Sequence, residues 1–174
     1  MRFGKQPPER DTSVPLMPAI AMQALELKIP PPVVALVVAL AMWGASRDAA
    51  PLPAPEVARL PLSIALAVVG ASFDLAALAA FLRAKTTINP MKPRSTSSIV
   101  VAGVYRLTRN PMYVGLAFVL GAWAAWLWTW WALPGPFVFA AYVTRFQIVP
   151  EERALAEAFG ERYLAYKARV RRWL

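Results

Sequence analysis

The longest apolar run of the chain, residues 57–83, reads VARLPLSIALAVVGASFDLAALAAFLR. Asp74 is the only acidic residue in this run, and basic residues stand only near its two ends. A helix needs about 20 mainly apolar residues to cross the hydrocarbon layer of a bilayer. The run therefore predicts a transmembrane helix over about residues 57–83.

The composition of the whole chain agrees with this prediction. Apolar residues make up 58% of the 174 residues, charged residues make up 17%, and the mean hydropathy is +0.44, whereas a soluble domain carries about 25% charged residues. Further apolar runs predict spans over about 29–46, 112–133 and 137–149, and the Pro- and Gly-containing residues 133–136 make the last two a hairpin. We expect an all-α integral membrane protein, a bundle of about four transmembrane helices.

The positions of Lys and Arg predict how this bundle is oriented. The loop of residues 84–111 contains several basic residues and no acidic one, whereas Arg47 is the only basic residue in the segment 47–56. Because basic residues near span ends are retained in the cytoplasm, we expect this loop and both termini to be cytoplasmic, with the protein in the inner membrane. The net charge of +9 would raise nucleic-acid binding in a soluble protein, but in this setting we expect no nucleic-acid partner.

Residues 1–24 are predicted to be an N-terminal extension. They are polar, contain prolines and carry mixed charges, and they lack the uninterrupted apolar segment of a signal peptide. Met22 precedes a segment that reads well as a natural start, so both Met1 and Met22 stay open as translation starts.

The chain contains no cysteine and no histidine. This excludes disulfides, thiolate nucleophiles and cysteine-rich zinc sites, and it removes the commonest metal ligand and the commonest general base. We therefore predict no metal site, and any chemistry must run without either residue.

Asp74 stands well inside the second predicted span. An isolated carboxylate in the bilayer costs several kcal/mol unless it is paired, protonated or facing water. It shares a helical face with small residues that allow close helix packing, namely Ser63, Ala67, Gly70, Ala71 and Ala77. Two interpretations stay open, a satisfied interhelical hydrogen bond and a wall of a substrate cavity.

Charged residues also cluster around Pro150. Arg145 could extend its side chain to the headgroups, or it could face inward as a fixed cation for an anionic ligand. Glu151 and Glu152 follow the proline, which can open a helix whose first turn favours negative charge. Two adjacent carboxylates near Arg145 are more than helix capping requires.

The last part of the chain, about residues 151–173, is amphipathic. Apolar and aromatic residues recur at spacings of four and three, and charged residues lie mostly on other faces. This pattern is typical of a helix that lies on the membrane surface or closes a cavity.

Two segments carry a resemblance to a known family. Residues 103–115 read GVYRLTRNPMYVG, and after a hydrophobic hairpin residues 151–170 read EERALAEAFGERYLAYKARV. This order resembles the isoprenylcysteine carboxyl methyltransferase family, which is related to the phospholipid N-methyltransferases. The resemblance covers about residues 25–173 and leaves out the N-terminal extension.

The resemblance implies a membrane methyltransferase domain over residues 25–174. In that family S-adenosylmethionine binds on the cytoplasmic side, the C-terminal helix closes the cofactor pocket, and a lipophilic acceptor enters from the bilayer. The implied cofactor-binding residues are Gly103, Val104, Tyr105, Arg109, Asn110, Tyr113, Glu151 and Glu152. The expected acceptor-binding residues are Asp74, Arg145, Tyr163 and Tyr166, and the expected catalytic residues are Arg145, Glu152 and Arg169.

This chain departs from the family pattern at two positions. Asn110 stands where founding members have histidine, and an amide can donate a hydrogen bond but cannot carry charge or relay a proton. Arg171 stands where they have a proline. The first difference bears on the substrate, and the second bears on the path of the C-terminal tail.

Methyl transfer from a sulfonium needs the positioning of donor and acceptor more than proton chemistry. A carboxylate acceptor is already deprotonated at neutral pH, and an arginine could hold it. An amine acceptor would need a proton sink. We expect methyl transfer to a small lipophilic acceptor, such as a carboxylate, at the inner membrane face. The alternatives are an N-methyltransferase for a phospholipid or another amine, and a non-catalytic membrane scaffold or lipid-binding protein derived from the family. The expected partners are a lipophilic small-molecule or lipid acceptor and membrane lipids, and the oligomeric state stays open.

Overall fold

The computed structural model of the chain describes residues 26–84 and 100–174. These two ranges are helical, with a single isolated bridge between Pro51 and Thr129 and no strand. The predicted N-terminal extension and residues 85–99 of the polar loop lie outside the described residues.

Four apolar helices form the bundle: α1 (Pro31–Ser46), α2 (Arg59–Ala84), α3 (Pro111–Leu127) and α4 (Gly135–Val143). A short 3-10 turn, Glu56–Ala58, leads into α2. Helices α1, α3 and α4 begin with prolines, which suit a first turn because its amide donors have no partners within the helix. The predicted apolar runs therefore correspond to helices.

The third helix ends earlier than predicted. Trp128 adopts the left-handed conformation with φ 57°, and its N–H donates to the carbonyl of Ala124. This closes α3 at Leu127, and a 3-10 turn over Trp130–Ala132 leads towards α4. The predicted span 112–133 is therefore too long, because hydropathy does not register the local backbone reversal.

The fourth helix continues through Pro150. A π-helical turn, Thr144–Ile148, joins α4 directly to α5 (Val149–Phe159). The N–H of Val149 bonds to the carbonyl of Thr144 across this wide turn, and Pro150 lies in the first turn of α5. Such π-helical turns occur frequently at functional sites, and this one lies directly before the paired glutamates.

The predicted amphipathic helix over 151–173 is two helices followed by an extended tail. Gly160, with φ 51°, separates α5 from α6 (Glu161–Arg169); this backbone conformation favours glycine because it lacks a Cβ. Val170 is extended. We call residues 170–173 the C-terminal strap.

Helix α3 is central to the packing, because α1, α2 and α4 all contact it. The largest fully buried side chains include Phe139, Val143 and Ile148 on the α4 side. Among the described residues, Glu56–Arg83 has the length and the mean hydropathy, 2.1, of a membrane-spanning helix, while α1 and α3 are apolar but shorter.

Helices α2 and α3 pack closely at Gly70 and Gly115. A Cβ on Gly70 would lie 2.8 Å from the carbonyl oxygen of Gly115. A Cβ on Gly115 would overlap with the carboxylate of Asp74. Asp74 therefore packs against the backbone of α3, as the small-residue face of α2 allows.

Gly115→Ala should lower the free energy of unfolding by about 1–3 kcal/mol, because the added methyl group collides with the Asp74 carboxylate. Gly121→Ala is the matched control in the same helix, since its Cβ would meet only Leu66 at 3.8 Å. Denaturant unfolding in detergent micelles, followed by circular dichroism, measures both. Asp74→Ala should restore part of the loss in the double variant, and equal stability of both glycine variants would contradict this packing.

Candidate functional site

The segment before α3 is a short folded loop. Gly103, with φ 61°, begins a 3-10 turn over Gly103–Arg106, which buries the side chain of Tyr105. The chain then passes through Thr108, Arg109 and Asn110 into Pro111 at the start of α3. We call residues 103–110 the motif loop.

Glu152 joins the motif loop to the C-terminal residues. Its Oε1 lies 2.8 Å from Nη2 of Arg109 and accepts a hydrogen bond from Nε of Arg172 at 2.9 Å. Its Oε2 lies 2.9 Å from Nη2 of Arg172 and 3.1 Å from Nζ of Lys167. These four residues form the Glu152 cluster, in which one buried carboxylate neutralises cations from two separate parts of the chain.

Backbone carbonyls of α6 and the strap extend this connection. Arg109 donates from Nη1 to the carbonyls of Lys167 and Val170, at 2.9 and 2.6 Å, and its backbone N–H donates to the carbonyl of Arg171 at 2.9 Å. The Asn110 amide donates to the carbonyl of Arg172 at 2.9 Å. Asn110 therefore holds the strap against the start of α3.

Glu152 is charged at neutral pH. Burial alone would raise its pKa, but hydrogen bonds from Arg172, Arg109 and Lys167 outweigh burial and lower the pKa to about 2. Both carboxylate oxygens already accept from cationic donors. This bonding makes Glu152 an anchor for the strap, and its expected roles in cofactor binding and catalysis stay predictions.

Glu151 has different surroundings from Glu152. It is half-buried, and its Oε2 accepts a hydrogen bond from the Tyr113 hydroxyl at 3.3 Å. Burial raises the pKa of Glu151 to about 7; the hydrogen bond from Tyr113 opposes this, and the charge of Glu152 adds to it. Glu151 can therefore take up or release a proton near neutral pH.

Four tyrosines are buried in this part of the molecule, Tyr105, Tyr113, Tyr163 and Tyr166. The Tyr166 hydroxyl donates to the carbonyl of Tyr105 at 2.7 Å, and the rings of Tyr163 and Tyr166 lie 6.3 Å apart between centroids. Burial raises the pKa of Tyr166 to about 12, so its hydroxyl stays protonated and remains a donor. Tyr113, whose hydroxyl donates to Glu151, is the aromatic residue bonded directly to a carboxylate of the pair among the described residues.

Two predicted site residues, Arg145 and Arg169, are bonded elsewhere. Arg145 forms an ion pair with Glu26 at 2.8 Å, and Arg153 contacts the other oxygen of Glu26 at 2.6 Å. Arg169 is exposed and donates from Nε to the carbonyl of Ala165, one turn back in its own helix. Among the described contacts, neither Arg145 nor Arg169 joins the Glu152 cluster.

Asp74 lies on another side of α3. Asp74 packs on Gly115, whereas Glu151 accepts a hydrogen bond from Tyr113. Residues two apart in a helix project about 200° from each other. The structure therefore separates Asp74 from the paired glutamates by the width of α3, and its expected role in acceptor binding stays a prediction.

Sequence patterns did not identify several residues of the site. Lys167 and Arg172 complete the Glu152 cluster, and Thr108 donates to the carbonyl of Arg172 at 3.0 Å. Both cations stand in a tail rich in Lys and Arg, where spacing does not indicate which one meets a carboxylate. Glu26, which neutralises Arg145, is far from it in sequence.

Comparisons with known proteins give one family and one relative. Residues 58–162 match the phospholipid methyltransferase family. An uncharacterized protein of Haemophilus influenzae is 43% identical over 63 residues, which are 36% of this chain and the whole of that protein. No solved structure matches the chain. The family match includes Arg109 and Glu152 and ends before Lys167 and Arg172.

Glu152→Gln should lower the free energy of unfolding by about 2–3 kcal/mol at pH 7, because it leaves the cations of the cluster without their carboxylate. The folded-state pKa of Glu152, about 2, lies below its ordinary value of 4.5. Its contribution is therefore present above pH 4.5 and is lost as the pH falls towards 2. Denaturant unfolding at pH 7 and pH 3 measures this difference.

Glu161→Gln is the control, since Glu161 is an exposed carboxylate in the first turn of α6. It should change stability little at either pH. A Glu152→Gln variant as stable as wild type at pH 7 would show that the cluster does not hold the strap.

Proposed function

This chain belongs to the phospholipid methyltransferase family, and we propose that it transfers a methyl group from S-adenosylmethionine to a lipophilic acceptor at a membrane surface. The observation that carries the proposal is the convergence of the motif loop, the paired glutamates and the C-terminal strap into one charged and aromatic cluster. Family membership supports methyl transfer as the class of reaction.

The residues present fit S-adenosylmethionine. When bound, this cofactor supplies an electrophilic methyl group on a sulfonium, and it also carries an ammonium and a carboxylate. Glu151 offers a carboxylate whose only partner among the described side chains is Tyr113, and aromatic faces such as that of Tyr105 attract cations. The Nε of Arg109 is buried without a partner among the described residues, which leaves a donor for an anionic group.

In this proposal the two glutamates have separate tasks. Glu151, with Tyr105 and Tyr113, holds the cationic part of the cofactor. Glu152 positions the strap and thereby the aromatic residues of α6. Asn110 is a positioning residue for the same strap, because its amide is bonded to the carbonyl of Arg172.

An amine acceptor suits the contacts better than a carboxylate does. A carboxylate would need a free cation beside it, and the candidates Arg145 and Arg169 bond to Glu26 and to the helix backbone. An amine must lose its proton before it can attack a methyl group. Glu151, with a pKa of about 7, can accept that proton and release it to water.

A membrane location is part of the proposal. The length and hydropathy of Glu56–Arg83 support it, as do many exposed leucine and valine side chains on α1 and α2. The orientation with both termini cytoplasmic in the inner membrane stays a prediction from the positions of Lys and Arg.

A non-catalytic protein is the alternative that Asn110, in place of the family histidine, raises. The Asn110 amide donates to the strap carbonyl of Arg172, a task that needs no proton chemistry. This substitution is therefore compatible with a working enzyme.

Glu151→Gln should weaken the binding of S-adenosylmethionine about tenfold or more, because it removes a desolvated anion from beside a cation. Isothermal titration calorimetry on the full chain in detergent measures this. With an amine acceptor, kcat/KM for the cofactor should rise as the pH passes through about 7 in the wild type and should lose that dependence in Glu151→Gln, because kcat/KM reports the pKa of the free enzyme.

Glu161→Gln, at an exposed position in α6, should bind the cofactor and respond to pH as the wild type does. No cofactor binding by the wild-type chain would refute the enzymatic proposal. Unchanged binding by Glu151→Gln would refute only the role given to Glu151.

A further inference from the structure

An apolar groove of about 510 Å³ lies between α1 and α2, with α3 as its floor. Small side chains, including Ala39 and Ala67, leave the space open, and Leu120 and Trp126 are among the residues of α3 that line it. The polar side chain in the lining, Ser63, donates its hydroxyl hydrogen to the carbonyl of Arg59 at 2.7 Å. Because this hydroxyl donor is already satisfied, an apolar ligand can cover Ser63 without breaking a hydrogen bond to water.

Arg59 stands beside one end of this groove. Its guanidinium carbon lies 4.6 Å from the centroid of the Trp126 ring, and Trp126 itself lines the groove. The Nε of Arg59 is buried without a hydrogen-bond partner, and Arg59 forms no ion pair with any residue in the described part of the chain. Leaving such a donor unsatisfied is costly, so its partner is a water or an anion from outside the described chain, and the positive charge of Arg59 favours an anion.

A second buried donor at this end of the bundle also has no partner. The indole N–H of Trp128 is unsatisfied among the described residues, and Trp128 is only 6% exposed. Trp128 follows α3 directly, two positions after Trp126. Trp128 does not line the groove, so Arg59 is the cation that complements an anionic ligand there.

We propose that this groove binds one membrane phospholipid, with an acyl chain between α1 and α2 and the phosphate against Arg59. An acyl chain fits the apolar lining, and a phosphate accepts charge-assisted hydrogen bonds from a guanidinium. A second copy of the chain would fill the groove with a helix but would leave the Arg59 charge without an anion. A phospholipid both fills the apolar groove and supplies an anion for Arg59.

This site is separate from the Glu152 cluster. Phe81, near the other end of α2, contacts Tyr105 of the motif loop, and the rise of a helix between Arg59 and Phe81 is roughly 33 Å. The inference rests on the proposed membrane location and not on methyl transfer. Its test measures lipid binding, so its failure would leave the enzymatic proposal untouched.

Native mass spectrometry of the delipidated full chain, titrated with dioleoyl phosphatidylglycerol, tests the proposal. One tightly bound lipid is expected for the wild type, and Arg59→Gln should weaken its binding about tenfold through the loss of a charge-assisted hydrogen bond. Arg47→Gln is the matched control, because Arg47 stacks on Trp43 at 4.8 Å and does not adjoin the groove.

A second pair of variants tests the acyl chain. Ala67→Phe fills the groove from an exposed position and should abolish tight binding, whereas Ala65→Phe, exposed on another face of α2, should not. Dioleoylglycerol, which has the chains without the phosphate, should bind about tenfold more weakly than the phospholipid. Inorganic phosphate should not compete with the phospholipid.

Equal phospholipid binding by wild type, Arg59→Gln and Ala67→Phe would overturn the proposal. Displacement of the phospholipid by inorganic phosphate would also overturn the proposal, because it would mean that the groove does not contribute to lipid binding. A wild-type dimer that retains no lipid and becomes monomeric in Ala67→Phe would assign the groove to a second copy instead. Circular dichroism melting of each variant establishes that it is folded.

Discussion

The carboxylate of Glu152 is the constraint on which the site depends. It is buried and it accepts hydrogen bonds from Arg109 of the motif loop and Arg172 of the strap, and Lys167 of α6 lies within ion-pair distance. A buried ion pair stabilises a fold only when its geometry is good and its remaining polar atoms are satisfied. Here Arg109 also bonds to the backbone carbonyls of Lys167 and Val170, so the ion pair fixes the path of the chain as well.

This anchor leaves Glu151 with a different role. The two glutamates are neighbours in sequence, but one is neutralised by cations while the other is desolvated beside a tyrosine. Their environments drive their pKa values in opposite directions, to about 2 and about 7. Pairs of acids separated in this way commonly divide structural and proton-transfer tasks, and the proposed function assigns the proton to Glu151.

Hydropathy was sufficient to predict the apolar helices, because each of them corresponds to a run of many apolar residues in the sequence. It could not predict the end of α3, the break at Gly160 or the π-helical turn, since each depends on the conformation of a few residues. The motif loop and the paired glutamates were identified from sequence order. The cations that complete the cluster were not, because Lys167 and Arg172 look like any other basic residue of the tail.

A double-mutant cycle between Arg109 and Glu152 tests most directly whether the motif loop and α5 meet. The unfolding free energies of wild type, Arg109→Ala, Glu152→Gln and the double variant are measured by denaturant titration in one detergent. We expect a coupling energy of about 1–3 kcal/mol for two residues in one ion-pair network. Additive effects, within about 0.5 kcal/mol, would contradict the convergence of the two segments.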